Sequence, residues 1–157
     1  MDSKLFIERV ENEFELAKII FEITSKESIQ KEVFYINQPL TSYSAVISHS
    51  YYCIFYCAKA YLLKKGIVTD APEEHKKTYE AFRELVEEGV VDVELLRIYE
   101  KIIVKADYLL GIFKSEKKKR GDYTYQLIPQ ANKEPAEESL SNTKAFFSHI
   151  YSLCQEK

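Results

Sequence analysis

The sequence of 157 residues is poor in chain breakers, with four glycines and four prolines, and it has no tryptophan. That scarcity predicts few, long elements and argues against a sheet of many short strands. The glycines stand apart in the chain, so the glycine-rich loops of Walker and Rossmann nucleotide sites are excluded. No Ser–His–Asp arrangement, no paired metal carboxylates and no cofactor motif occur, and we expect no bound cofactor. Three cysteines, an odd number without framework spacing, fit a reducing cytoplasm better than a disulfide scaffold. Positive charge is not in excess: the net charge of −3 excludes a chain that binds polyanions with its whole surface, so nucleic-acid contact would need a local patch. The opening MDSKLFIERVENEF carries acids inside its first apolar stretch, unlike a secretory signal. Repeats and low-complexity segments are absent.

What is present suffices for a real core. Apolar residues make up 46% of the chain, which excludes global disorder, and the length predicts one domain over residues 1–157. The most apolar stretch is Thr41 to Gly66, TSYSAVISHSYYCIFYCAKAYLLKKG. Tyr51, Tyr52, Phe55, Tyr56 and Tyr61 give it bulk, while Ala45, Ala58 and Ala60 allow neighbours to approach. The polar exceptions, among them Ser48, Ser50 and Lys59, are too few for a wet face. Such a helix must be wrapped by other helices or by a second subunit. Ser44, Ser48, His49 and Ser50 interrupt it, whereas a membrane span needs roughly 20 consecutive apolar residues. It reads as a central core helix, and no membrane association is expected.

In chain order, Phe6, Val10, Phe14, Ala17 and Phe21 recur at helical spacing, with Leu5, Leu16 and Ile20 widening the stripe. This predicts a first helix of about twenty residues capped by Asp2 or Ser3. A polar break at 24–26 and a helical turn over 29–36 precede Pro39. Thr41 or Ser42 caps the central helix, and Gly66 stands where a left-handed C-terminal residue is wanted. Asp70 and Pro72 open a third helix that closes at Gly89. Asp92 caps a fourth, with Leu95, Leu96, Tyr99, Ile102, Ile103, Ala106, Leu110 and Phe113 on its buried side. The last helix spans Glu134 to Cys154, its apolar side Leu140, Ala145, Phe146, Ile150 and Leu153 and its cap Asn132. The expectation is an all-α, up-and-down bundle of four to five long helices.

Several stretches together resemble one family. SHSYYCIFYCAKAYLLKKG is similar to the AxxxAYYAxFxAAxALLxxKG helix of the HEPN domain, and EEHKKTYEAF to its following helix. LLRIYEKIIVKADYLL, with Ala106-Asp107-Tyr108, resembles the fourth helix, and the acidic 134–138 resembles the start of the last. The resemblance implies a dimerising helical bundle. Members include RNA-cutting toxins of toxin–antitoxin pairs, partners of small nucleotidyltransferases, and non-catalytic RNA or nucleotide binders.

In catalytic members, the resemblance implies an Arg followed after four to six residues by a His. Arg120 fits the Arg, but Tyr125 stands at the His position. Metal-free RNA cleavage needs a base for the 2′-hydroxyl, an acid for the leaving oxygen and a cation on the phosphate. Histidine, with an ordinary pKa of about 6.5, suits the proton transfers, and arginine's fork suits phosphate. Tyrosine, with a pKa of about 10, is a poor base, so binding with weak or absent cleavage is expected. Lys117, Lys118, Lys119 and Arg120 beside Tyr123 and Tyr125 combine backbone charge with rings for bases, as single-stranded RNA contact requires. The same cations equally suit a solvated helix C-terminus. The resemblance allows His75 to line a pocket, although a first-turn helix residue reads as well. Asp107 is either a buried acceptor or a site acid.

His49, Cys53 and Cys57 share one helical face, and His149 or Cys154 would complete four ligands. The C-x-x-C form of zinc sites is missing and cysteine packs as a small hydrophobe, so buried free thiols without metal are expected. A second functional class is a protein-interaction module, antitoxin-like or scaffolding, whose 12 tyrosines and 9 phenylalanines meet a partner chain. A third is an active metal-independent endoribonuclease.

Overall fold

The structure, a computed structural model, describes residues 3–110 and 133–156. Six helices order the described chain: α1 (Ser3–Ser25), α2 (Glu27–Glu32), α3 (Tyr43–Lys64), α4 (Glu74–Glu87), α5 (Val93–Leu110) and α6 (Lys133–Gln155). No strand occurs among the described residues. The count exceeds the expected four to five because the turn foreseen over 29–36 is the six-residue helix α2.

Burial of α3 organises the bundle. Fourteen of its residues are buried, Tyr51, Ile54, Cys57 and Leu62 among them, and α1, α4, α5 and α6 all pack against it. The chain therefore covers its own central helix, and the apolarity of α3 no longer argues for a second subunit. Side-chain pairs give the directions. Phe6 meets Tyr56 and Phe21 meets Tyr43, so α1 runs antiparallel to α3. Lys105 binds Glu138 while Tyr99 meets Phe146, so α5 runs antiparallel to α6. Lys64 Nζ donates to the Leu153 and Cys154 carbonyls, which brings the C-terminal ends of α3 and α6 together. The four longest helices thus alternate in direction, as an up-and-down bundle requires.

Helix ends follow local chemistry with exceptions. Gly66 takes φ +79, and its N–H and that of Ile67 donate to the Leu63 and Leu62 carbonyls at 2.9 Å, closing α3. Asp92 Oδ1 accepts the Glu94 N–H at 2.8 Å, while Ser42 occupies the N-cap of α3 without a side-chain bond. Asp70 and Pro72 do not open α4. The Asp70 carboxylate faces Lys59 at 3.8 Å, and the left-handed Glu73 (φ +59) delays the helix to Glu74. Ser3 lies within α1, and Asp2, Phe113 and Asn132 lie outside the described residues.

The stripe of α1 is narrower than expected. Val10 and Ala17 are fully buried, but Leu5 and Leu16 are exposed because their positions lie round the helix from that face, and Glu13, on the buried face, bonds His49 of α3. Leu110 and Ala145 are exposed as well, Ala145 because it lies on the open face of α6 with Ser148, His149 and Ser152.

One aromatic cluster joins three helices: Phe82 of α4, Tyr99 of α5 and Phe146 of α6, with centroids 5.6–6.0 Å apart. All three are fully buried, and the Tyr99 hydroxyl has no hydrogen-bond partner among the described residues. A buried unsatisfied hydroxyl costs about 1–3 kcal/mol. Tyr99→Phe should therefore raise the unfolding free energy by about 1 kcal/mol, whereas Phe146→Ala should lower it by about 3–5 kcal/mol. Urea denaturation of the two variants checks both signs.

Candidate functional site

The left-handed turn at Glu73 delivers Glu74 and His75, the first residues of α4, onto the middle of α3. The fully buried Tyr51 hydroxyl lies 2.8 Å from His75 Nδ1. Phe55 stacks on the imidazole at 4.2 Å between centroids, and Tyr52 meets it edge-on at 6.2 Å. A half-buried histidine is therefore held by one hydrogen bond and by rings on α3.

Electrostatics sets both protonation states. Burial above all, then the fields of Tyr52, Asp107 and Glu74, pushes the Tyr51 hydroxyl far above the usual phenol range. Burial also lowers the His75 pKa below its ordinary 6.5; Lys59 adds to this, and Glu74 opposes it. The tyrosine thus keeps its proton, the imidazole is neutral, and the two share one hydrogen bond through Nδ1. Nε2 has no hydrogen-bond partner among the described residues. A neutral imidazole bordered by aromatic rings suits a nucleobase edge, which offers both donors and acceptors.

Lys59 is the cation nearest this site on α3. Its ammonium is buried, 3.0 Å from Glu74 and 3.8 Å from Asp70, and it lies over the Phe6 and Phe55 rings. Two carboxylates and two ring faces satisfy it, so it steadies the start of α4. The cavity beside it, lined by Phe6, Leu63, Ile67 and Thr69 among others, holds about 70 Å³, far below the roughly 300 Å³ of small-ligand pockets.

Of the residues singled out from sequence, His75 and Asp107 converge on the same tyrosine: His75 by a hydrogen bond, Asp107 through its charge. Lys117, Lys118, Lys119, Arg120, Tyr123 and Tyr125 lie outside the described residues. The His49–Cys53–Cys57 row separates by role. Cys53 and Cys57 are buried free thiols, burial pushing the Cys57 thiol well up, while His49 turns to Glu13 of α1 at 2.7 Å. Among the described residues no group of three or more His, Cys, Asp or Glu is placed to hold a metal ion. Sequence reasoning missed Tyr51 as the partner of His75 and Glu13 as the partner of His49. A carboxylate inside an apolar stripe signals the second pair, since a buried acid needs a partner. Nothing local signals the first.

A family model for the HEPN domain matches residues 35–152, from the segment before α3 into the last turns of α6. No curated protein matches the chain. No helix among the described residues is long and apolar enough to cross a membrane.

The lowered His75 pKa makes stability depend on pH. As pH falls below the ordinary 6.5, the unfolded chain takes up a proton that the folded chain resists. The stabilisation is complete above that value and is lost as pH falls through the folded pKa. Thermal melts from pH 7.5 to 5 should show the wild type losing melting temperature more steeply than His75→Gln.

Proposed function

The chain belongs to the HEPN domain family, and on that premise we propose that it binds RNA or nucleotide with weak or absent ribonuclease activity. The family carries RNA- or nucleotide-related function in general. The observation that carries the reading is the Tyr51–His75 pair, a neutral imidazole held at Nδ1 and fixed among rings, with Nε2 left for a ligand. In this reading Lys117, Lys118 and Lys119 attract the phosphate backbone, and Arg120 grips a phosphate with its fork. Tyr123 stacks on a base, Tyr125 supplies a hydroxyl bond, and His75 and Asp107 border the bound strand. With Tyr125 where a proton-transferring histidine is expected, binding outlasts cutting. HEPN domains often dimerise, and we read this one as a homodimer of a toxin–antitoxin or nucleotidyltransferase-associated pair.

One feature favours a protein partner instead. Gln30 bonds the carbonyls of Ile23 and Leu40 and the Leu40 N–H, fixing the ends of a segment that exposes Val33, Phe34 and Tyr35, the last at 82%. Salt separates the two readings. RNA affinity should fall steeply as salt rises, while an aromatic protein interface should hold.

The test is binding and cleavage of a single-stranded RNA by wild type, Arg120→Ala and Tyr125→His. Expected are salt-sensitive binding, a roughly tenfold loss in Arg120→Ala, and slow or absent cutting by wild type. Unchanged affinity in Arg120→Ala at low salt contradicts the proposed site. Fast cutting by wild type that both substitutions abolish would make Tyr125 catalytic.

A further inference from the structure

The α1–α3 flank holds a charged cluster that the reading above leaves unused. Glu13 is almost buried and divides its carboxylate between two partners. Oε1 accepts from Arg9 Nε at 3.1 Å, and Oε2 meets His49 Nδ1 at 2.7 Å. Arg9 also lies over the Tyr56 ring, 5.2 Å from its centroid. The guanidinium is therefore oriented twice, by a hydrogen bond at Nε and by a ring face. Its two terminal nitrogens have no partner among the described residues, and the side chain is 57% exposed. The neighbouring imidazole is 28% exposed, and with Nδ1 held its Nε2 is left for a ligand.

A planar fork with two parallel donors held in place matches a phosphate, and fixing it beforehand lowers the ordering cost of binding. Beside it, Tyr56 stacks with Tyr52 at 6.3 Å, and Tyr52 meets His75. His49, Tyr52 and Tyr56 stand at i, i+3 and i+7 along α3 and so share one face. A strip runs from the phosphate-matching fork over two rings to His75.

We propose that Arg9 and His49, both oriented by Glu13, form a phosphate-binding site whose ligand lays a base against Tyr52 and Tyr56. This rests on the nucleotide- or RNA-binding reading and adds a contact separate from Arg120. The phosphate belongs either to a free nucleotide or to an RNA backbone.

Glu13→Gln is the discriminating variant. A carboxylate that merely adds negative charge would, once removed, leave anion binding tighter. A carboxylate that orients the fork and the imidazole would leave it weaker. Fluorescence anisotropy with a labelled single-stranded RNA oligonucleotide, with a mononucleotide as competitor, reads the effect. Arg9→Ala should weaken binding about tenfold. Arg9→Lys, which keeps the charge and loses the fork, should weaken it severalfold, and Glu13→Gln should weaken it as well. Circular dichroism reports whether Glu13→Gln stays folded. If it does not, the exposed Arg9→Lys decides alone. Wild-type affinity in Arg9→Lys, or tighter binding by folded Glu13→Gln, overturns the site. Arg9-dependent competition by the mononucleotide assigns a free nucleotide, and its failure to compete assigns the RNA backbone. With Arg120→Ala in parallel, loss there but not in Arg9→Lys removes this site and keeps the general reading. No binding by wild type removes both.

Discussion

A helix buried on almost every side must satisfy each polar group it carries, and α3 imposes that constraint on this protein. Buried polar groups without partners are costly, and unpaired charges more so. His49 is answered by Glu13 of α1, Lys59 by Glu74 of α4, and the Tyr51 hydroxyl by His75 of α4. At its end Lys64 takes up the last carbonyls of α6. Three neighbouring helices are thus set against α3 by polar contacts and by apolar area together. Of the buried side-chain groups of α3, Ser50 Oγ alone lacks a partner among the described residues.

The same pairings give the surface its chemical character. A partly exposed imidazole held at one nitrogen presents the other in a fixed direction, and two are so held: His49 by Glu13 of α1, and His75 by Tyr51 of α3. In the proposed reading structural satisfaction and ligand readiness are one arrangement: the bonds that let α3 be buried also remove the freedom its polar neighbours would otherwise lose on binding. Lys59 marks the contrast. Held by two carboxylates and two rings, it is consumed by the fold.

Helix spacing, the left-handed glycines at 66 and 89 and the Asp92 cap were legible because they depend on neighbours within a few residues. The start of α4 was not, because Asp70 is drawn away by Lys59, eleven positions earlier on another helix. The two histidine pairs span 36 and 24 positions, and no local pattern encodes such distances. His49 was read as part of a cysteine row because i+4 spacing is visible in a sequence and a carboxylate from another helix is not. Glu13 offered the one clue, as an acid in an otherwise apolar stripe. The basic and aromatic residues from Lys117 to Tyr125 enter the account through chemistry and family membership alone.

We place the nucleotide-containing ligand of the proposed function on the α3 surface between α1 and α4, with its two oriented histidines. The chain carries three histidines, and the third, His149, is exposed on α6, so it serves as an internal control. Imidazole NMR signals followed during titration with a single-stranded RNA oligonucleotide read all three at once. The His49 and His75 signals should move saturably while His149 stays still. Movement confined to His149, or binding that leaves all three signals in place, would contradict this placement.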